Sequence, residues 1–521
     1  MLQYLDRRSA VCGARRHSGP QVEAMESRRL LSQTLVVNTL VDQTDPPGSA
    51  TVSLRDAITQ ANSSSDSTTI TFANGVSGSL QLVNGQLEMS GNETIAGPSA
   101  HALSIDGQAQ SRVFQIDAGG QAEIDGLTIT NGYAGTGNNG GAILNNGTLT
   151  LARDVVSQST AGEGDVGSAG ALGGGIYNAG TLVVRDSTIS TNVAGAGGQG
   201  TSGLYLGGTG GGGGDGGGLY NAGTLTLINS TISGNTAGPG GLGGIGFSPN
   251  GLPTTGGDGG NGGSGGGLAN AGAATLVNDT FSENTSGPRG PGGYGDNLGL
   301  PGQPGQGSGF AGLSGTLSVG NTISAGNFLA SGDASGSITS LGHNLIGQSD
   351  TSSGWVASDQ TGTADTPLDA RLAPLAIYGG STPTYALMSG SPAIDTGDNA
   401  LVTQYAIATD QRGLPRIFNS TVDIGAYEVQ PPAIPGDVNH DGTVNLTDFL
   451  LLARNFGNTS APLFENGDLN GDGVVNLADL LIVTRNFGRH ATVMATANTP
   501  LVSPSDAAGT PQLQRARRRT I

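Results

Sequence analysis

Two stretches near the end of the chain carry the same series of oxygen-bearing side chains, 31 residues apart. Asp or Asn stands at loop positions 1, 3, 5, 9 and 12, and glycine stands at position 6. Ca²⁺ takes roughly six to eight hard oxygen ligands, and this spacing wraps them around one point. We therefore predict two calcium ions, held by Asp437, Asn439, Asp441, Thr443, Asn445 and Asp448 in the first loop and by Asp468, Asn470, Asp472, Val474, Asn476 and Asp479 in the second, where Thr443 and Val474 contribute backbone carbonyls.

An apolar run with helical spacing follows each loop. Each run ends in Asn-Phe-Gly, at 455–457 and 486–488, where glycine ends a helix. Position 12 is Asp rather than the Glu of most EF-hands, so its reach is shorter. Because loop, helix and ending are all duplicated, a ligand-free acidic turn is the weaker interpretation. The apolar face of the first helix is expected to consist of Leu446, Phe449, Leu450, Ala453 and Phe456, and that of the second of Leu477, Leu480, Leu481, Thr484 and Phe487.

The two halves together, over residues 436–489, resemble a type I dockerin, a small calcium-folded module that docks onto a cohesin domain. The resemblance rests on the loop-plus-single-helix halves, and it implies a cohesin-type protein partner. The alternative is that calcium only stabilises a C-terminal domain. By analogy with the family, partner contacts are expected at loop positions 10 and 11 and along the helices, at Leu446, Thr447, Arg454, Leu477, Ala478 and Arg485.

The middle of the chain repeats one glycine-rich phrase four times, and each copy leads into a strand-like alternation of apolar and small polar residues. A unit of this kind cannot bury its own apolar face, so successive units must stack as a solenoid. The pattern predicts a parallel β-helix. The Asn residues repeated in the four phrases then fall at one corner, where each can bond the next coil or adopt a left-handed turn: Asn145, Asn178, Asn221 and Asn270.

The spacing of these asparagines widens from 33 to 43 to 49 residues, and almost all of the added length is glycine. The insertions cover residues 195–214, 238–263 and 287–307. They contain few apolar residues, so they are predicted to be mobile loops that do not pack. A collagen structure is excluded because the Gly-x-y triplet is not maintained.

The first 32 residues are rich in Arg and end in a segment, 25–32, that resembles the export motif of large bacterial surface proteins. An amphipathic helix is predicted over 53–62, with Ser53 as N-cap and Leu54, Ala57, Ile58 and Ala61 on one face. It resembles the helix that covers the first coil of bacterial β-helix proteins. The repeats over 120–330 resemble those of autotransporter-type passenger proteins.

Residues 338–429 resemble the choice-of-anchor segment that ends many secreted β-helices. We expect final coils and a cap that closes the solenoid. The acidic and basic residues of this segment are interpreted as a structural ion-pair and turn network rather than as a catalytic group: Asp395, Asp410, Arg412 and Asp423.

The fold class is therefore mainly β, a parallel β-helix with an N-terminal capping helix and a small all-α calcium-binding module. The predicted parts are a disordered basic leader with an export motif (1–32), the β-helix with its Gly-rich loops (33–337), terminal coils and cap (338–429), a Pro-rich linker (430–435), the dockerin-like module with two calcium loops (436–489) and a disordered tail (490–521).

Composition limits the partners of the chain. The net charge is −19, and all 21 basic residues are Arg, ten of which lie in the two terminal segments. An acidic body of this kind excludes nucleic acid and disfavours anionic membranes. The single cysteine, Cys12, allows no internal disulfide. The sequence contains no run of 18 apolar residues, so no transmembrane helix is predicted.

Three functions are consistent with these features. The sequence favours a non-catalytic protein, exported to the cell surface or extracellular space and attached through calcium-dependent docking. A polysaccharide-degrading lyase or glycosidase is the alternative, with polysaccharide as ligand. Against this alternative, a hydrolase needs a pair of acidic residues, and the aligned corner contains Arg153, Asp186, Asn229 and Asn278, which is no acid pair. The chain also lacks aromatic platforms for a sugar, since Trp355 is its sole Trp. The third function, an adhesin that binds glycan or protein through its Gly-rich loops, is close to the first.

Overall fold

The computed structural model describes residues 33–46, 48–328, 332–388, 390–430, 434–439, 442–459, 467–470 and 474–490. The predicted leader (1–32) and nearly all of the predicted tail lie outside these residues. The chain divides into two compact units, one ending at Glu428 and the other beginning at Val429. None of the helices within the described ranges is long and apolar enough to cross a membrane.

The first unit is a parallel β-helix with three long sheets, in which adjacent strands are parallel and keep their register from coil to coil, except for a shift between Val319 and Gly320 in the first sheet. The first sheet contains Gln33–Val37, Thr68–Phe72, Asn92–Ala96, Gln121–Asp125, Thr148–Ala152, Thr181–Arg185, Thr224–Ile228, Ala273–Val277, Thr316–Gly320 and Thr339–Gly342. The second contains Leu87–Met89, Phe114–Ile116, Ile143–Asn145, Ile176–Asn178, Leu219–Asn221, Leu268–Asn270, Phe310–Gly312, Ala334–Ser337 and Thr351–Ser353. The third contains Gly78–Gln81, Leu103–Asp106, Thr128–Thr130, Val155–Ser157, Thr188–Ser190, Thr231–Ser233, Thr280–Ser282, Ile323–Ser324, Leu345–Ile346 and Gln360–Thr361.

Alternation along the strands decides which side chains enter the core. In Thr224–Ile228, Leu225 and Leu227 point inward and are buried, while Thr224 is exposed. The same positions of neighbouring coils stack into apolar columns, and these form one continuous core along the solenoid. The predicted β-helix and its strand alternation are confirmed.

Helix α1 (Leu54–Asn62) covers the first coils. Ser53 caps it and forms a reciprocal capping box with Asp56, and the helix buries Leu54, Ala57, Ile58 and Ala61. The predicted N-cap and apolar face are both confirmed. The helix is needed because the first coil of a solenoid would otherwise expose its apolar interior.

The repeated asparagines form a column of side-chain hydrogen bonds. Asn145 Nδ2 donates to Asn178 Oδ1, Asn178 to Asn221 and Asn221 to Asn270, each at 2.7 Å. All four are fully buried, and none has a positive φ, so the predicted bonding role is confirmed rather than the left-handed turn. A second column joins Asn192, Asn235, Asn284 and Asn327.

Left-handed backbone conformations occur at a different corner of the coils, the one that was aligned in the search for an acid pair. Arg153, Asp186, Asn229 and Asn278 all have φ between 50° and 60°. Asn and Asp tolerate this region better than most residues do. The alignment of this corner, inferred from the repeat, is therefore correct.

The terminal segment departs from the predicted cap. Coils continue to Thr361, and Trp355 packs against the end of the core. The described residues of 370–428, which we call the flank segment and which include helix α2 (Asn399–Gln404), instead lie along the flank of the third sheet. Thr188 Oγ1 donates to the carbonyl of Pro383 at 2.6 Å, and Thr231 Oγ1 donates to Gln411 Oε1 at 2.6 Å. The hydroxyl groups of the third sheet supply these partners, and this explains why the segment lies there.

The glycine insertions also differ from prediction. Their backbones hydrogen-bond to one another, for example Gly210 N to the Asp258 carbonyl and Gly241 N to the Gly211 carbonyl, both at 2.8 Å. The prediction that they do not pack is wrong, because packing here uses backbone groups and needs no apolar side chain.

The second unit contains helices α3 (Leu446–Arg454) and α4 (Leu477–Asn486). Its small core consists of Val438, Val444, Leu452, Val475 and Val483, with Phe449 and Leu480 partly buried beside it.

Candidate metal centre

The two ends of the first loop meet at the carboxylate of Asp448, loop position 12. Its Oδ1 accepts the backbone N–H of Val438 at 2.7 Å and of Asn439 at 3.1 Å, and its Oδ2 accepts the N–H of Asn445 at 2.8 Å. Asp448 is fully buried. A carboxylate offers about four lone-pair sites, so three N–H bonds leave capacity for a cation. The shorter Asp thus holds the loop closed.

The second loop has the same geometry around Asp479. Its Oδ1 accepts the N–H of Leu469 at 2.8 Å and of Asn470 at 3.1 Å, and its Oδ2 accepts the N–H of Asn476 at 2.9 Å. Asp479 is also fully buried. The duplication seen in the sequence is therefore a duplication of hydrogen bonds.

The asparagines at loop position 9 begin the two helices. Asn445 Oδ1 accepts the N–H of Thr447, and Asn476 Oδ1 accepts the N–H of Ala478, each at 2.7 Å. Their Nδ2 atoms donate to the carbonyls of Thr443 and Val474 at 3.2 Å. Position 9 of an EF-hand loop often reaches calcium through water. We expect Asn445 and Asn476 to act in this indirect way.

The donor set fits calcium. Asp437 and Asp468 at position 1 are nearly fully buried, and Asp437 Oδ2 accepts the N–H of Gly442 at 2.9 Å. Oxygen atoms of carboxylates, amides and backbone carbonyls are the ligands that Ca²⁺ takes. Two of the predicted ligands, Asp441 and Asp472, lie outside the described residues.

The two halves are locked together crosswise. The N–H of Gly488, after the second helix, donates to the carbonyl of Val444 in the first loop at 2.7 Å, and Val444 N donates to Arg489 O at 2.9 Å. Gly457 and Asn458 make the equivalent pair with Val475, at 2.8 and 3.0 Å. Each loop is therefore completed by the chain that leaves the other helix.

The six residues predicted to contact a partner are all exposed, and Leu446 and Leu477 are each 60% exposed. The predicted apolar face of the helices is only partly buried, with Phe449 and Leu480 packed against the core. Leu452 and Val483 enter the core, whereas Leu450, Phe456, Leu481 and Phe487 are exposed apolar residues, as Leu446 and Leu477 are. The spacing of Leu446, Leu450 and their equivalents in the second copy could have indicated an outer apolar stripe.

In the first unit, the acidic residues of the flank segment have structural partners. Arg412 forms a buried ion pair with Asp410 at 2.6 Å and lies over the Tyr427 ring. Asp423 Oδ1 accepts the N–H of Asp395 at 2.7 Å. These contacts agree with the predicted ion-pair and turn network.

A cavity of about 480 Å³ lies between the third sheet and the flank segment, with Glu283, Asp333, Asp369, Arg371 and Tyr385 in its lining. Asp333 Oδ1 accepts a hydrogen bond from Asn327 Nδ2 at 2.8 Å, and the Tyr385 hydroxyl is hydrogen-bonded to Ser233 Oγ at 2.6 Å. Among the residues that the structure describes, no three His, Cys, Asp or Glu side chains are grouped to hold a metal.

The C-terminal unit matches a known family. Residues 435–491 match the type I dockerin domain. Type I dockerins bind calcium and dock onto cohesin partners.

Among solved structures, the chain is similar to the pectate lyase Pel9A, with 14% identity and a TM-score of 0.33 over 77% of this chain and 98% of that one. Similarity at this level assigns no activity. None of the curated proteins matches the sequence.

Proposed function

We propose that this chain is a non-catalytic extracellular or cell-surface β-helix protein that attaches to a cohesin-type partner when its two loops bind calcium. One ion would sit in each loop, with the ligands named above. Dockerin-bearing proteins are typically secreted and attached at the cell surface, which supports this location.

The observation that carries the proposal is the symmetry of the module. Asp448 and Asp479 each close a loop with three backbone N–H groups, and each loop leads into a helix with an exposed apolar stripe. Exposed apolar side chains grouped on a small domain indicate a protein-binding surface. The stripe and the metal loops are adjacent because Leu446 and Leu477 directly follow the position-9 asparagines.

Calcium binding and docking can be separated by experiment. The purified full chain should bind two calcium ions per molecule in a calorimetric titration, and immobilised type I cohesin domains should retain it with calcium but not with chelator. The double variant Leu446→Ser/Leu477→Ser should keep both ions and lose retention, whereas Val83→Ser, at an exposed apolar site of the first unit, should keep both. One ion per chain, or retention that persists in chelator, would contradict the proposal.

The polysaccharide-degrading alternative has one structural observation in its favour, the cavity between the third sheet and the flank segment. It contains the exposed acidic residues Glu283 and Asp369. The test is incubation of the full chain with pectin, polygalacturonate and xylan, followed by assays for new reducing ends and for unsaturated products. Product formation that is lost in Glu283→Gln would establish this function instead.

A further inference from the structure

The glycine insertions form an ordered two-layer array beside the solenoid. Residues 195–203 run outward and 207–214 return, and the insertions of the next two coils repeat this path. Outward chains bond one another at every third residue: Gly197, Gly200 and Gly203 donate to Pro239, Leu242 and Ile245. Returning chains do the same, from Gly207, Gly210 and Gly213 to Thr255, Asp258 and Asn261.

A repeat of three residues is that of the polyproline II helix, which rises about 3.1 Å per residue, so each outward chain extends roughly 25–30 Å. The glycines at 195–214, 238–246, 256–263 and 287–305 have no positive φ. At most of these positions glycine is needed because there is no room for a Cβ. A Cβ on Gly213, Gly238 or Gly257 would overlap the carbonyl oxygen of a neighbouring chain.

The far end of this array, which we call the tip, carries the large side chains that its interior cannot hold. The backbones of three successive coils meet there: Leu204 pairs with Phe247, and Gly246 N donates to the Tyr294 carbonyl at 2.9 Å. The exposed apolar residues of the tip are each between 46% and 70% exposed: Leu204, Leu206, Ile245, Phe247, Leu252, Tyr294, Leu298 and Leu300.

The tip is almost free of charge on a protein whose net charge is −19. Within 199–209, 240–257 and 291–301 the one charged residue is Asp296, and its carboxylate is bonded to the N–H and hydroxyl of Thr254 at 2.9 and 3.1 Å. Exposed hydroxyl and amide groups stand among the apolar side chains, at Thr201, Ser202, Asn250 and Asn297.

Tyr205 shows that a side chain is retained at the tip at a conformational cost. Its φ is +66°, and among the described residues it is the one Tyr, Phe or Trp in the left-handed region. An aromatic residue there is strained, and glycine would relieve the strain. In a segment made mostly of glycine, an aromatic residue at a strained φ points to a use of its ring.

We propose that the tip of the glycine array binds a neutral polysaccharide. Tyr205, Phe247 and Tyr294 come from three successive insertions; Phe247 and Tyr294 are 51% and 65% exposed, and Tyr205 is partly exposed. Aromatic rings pack on the C–H faces of pyranose sugars, and the neighbouring hydroxyl and amide groups bond sugar hydroxyls. The absence of charge matches an uncharged ligand. A membrane surface is disfavoured because the tip has no Lys or Arg.

Polysaccharide binding at the tip is independent of the dockerin module. The experiment measures retention of the full chain on amorphous cellulose, xylan and galactomannan, with calcium and with chelator. We expect binding to at least one of these polysaccharides under both conditions. Phe247→Ala/Tyr294→Ala should weaken it at least tenfold, whereas Val83→Ala, at an exposed apolar site of the solenoid, should leave it unchanged.

Four outcomes would overturn the proposal. They are no retention on any of the three polysaccharides, equal retention of the tip variant, retention that is lost with chelator, and tip-dependent binding to phosphatidylcholine vesicles without polysaccharide binding. Circular dichroism of the tip variant controls for folding. Tyr205→Gly, which removes the ring and relieves the strained φ, provides a second variant that should bind more weakly while folding at least as stably as wild type.

Discussion

The backbone N–H of Gly457 donates to the carbonyl of Val475 at 2.8 Å, so a residue that follows the first helix completes the second loop. Gly488 and Val444 make the reciprocal contact at 2.7 Å. The apolar core is also shared, since Val438 and Val444 of one half pack with Val475 and Val483 of the other. The two loops are therefore expected to fold as a single unit.

Loss of one calcium loop should unfold both. We predict that Asp468→Ala abolishes binding at the second loop and also weakens binding at the first, because metal binding and folding are linked. In the presence of calcium, peptides over 436–459 of the full-length Asp468→Ala variant should exchange hydrogen faster than those of wild type. Wild type in chelator is expected to show the same faster exchange. The control is Thr484→Ala, at an exposed helix position. Unchanged protection of 436–459 in Asp468→Ala would show that the halves fold independently.

Removing one member of the asparagine column should destabilise its coil. Asn221 accepts a hydrogen bond from Asn178 and donates one to Asn270, both at 2.7 Å, and all three are fully buried. Asn221→Ala leaves a buried acceptor without its donor, at a cost of about 2 kcal/mol or more. Thr226→Ala, on the outer face of the same coil, should cost about 0.5 kcal/mol or less. Faster hydrogen exchange localised to the 219–228 region would support this, and equal effects of the two variants would contradict it.

Two adjacent glycines of the array should respond oppositely to alanine. A Cβ at Gly211 would overlap the Ser168 carbonyl, whereas the nearest atom to a Cβ at Gly212 is the Asn261 carbonyl oxygen at 3.8 Å. Gly211→Ala should destabilise the array by about 1–3 kcal/mol or more. Gly212→Ala should be neutral or slightly stabilising, because alanine restricts the unfolded chain. Limited proteolysis within 195–214 measures the difference, and similar cleavage of both variants would argue against close packing.

Stability should fall between mildly acidic and neutral pH because of Glu93. Its side chain is buried at the covered end of the solenoid, and Oε2 has no hydrogen-bond partner among the residues that the structure describes. Burial raises the pKa of Glu93 to about 7, and the N–H of Gly91 opposes this shift. The folded state therefore holds a proton that the unfolded state has lost. As pH rises from the unfolded value near 4.5 to about 7, unfolding becomes easier, and above that the loss is complete.

The variant Glu93→Gln should lack this component and be more stable than wild type at pH 8 by on the order of 3 kcal/mol. Urea denaturation of both proteins from pH 5 to 8 measures the effect. Other buried carboxylates, such as Asp154 and Asp279, have pKa values raised by burial and contribute with the same sign, so the comparison is the difference between the two proteins. Parallel curves for wild type and Glu93→Gln would show that Glu93 does not titrate in this range.

The amino-acid sequence by itself determined most of the local structure of this protein. Period-two alternation, the column of Asn145, Asn178, Asn221 and Asn270, the helix capped by Ser53 and the duplicated calcium loops are local patterns, and each is governed by the geometry of neighbouring residues or of equivalent residues one coil apart. A solenoid contacts mainly its own next coil, so local periodicity specifies most of its packing.

Only the tertiary structure decided where long-range partners meet. The flank segment contacts residues nearly 200 positions away, as Thr382 does with the Asp186 carbonyl, and no local pattern encodes that distance. The buried face of each helix was decided by the core that the two halves share, so Leu452 is buried and Leu450 is exposed. The packing of the glycine array was not predicted, because the array is held together by backbone hydrogen bonds between neighbouring chains. Its interior packs through glycine, so no pattern of apolar side chains in the sequence indicates it.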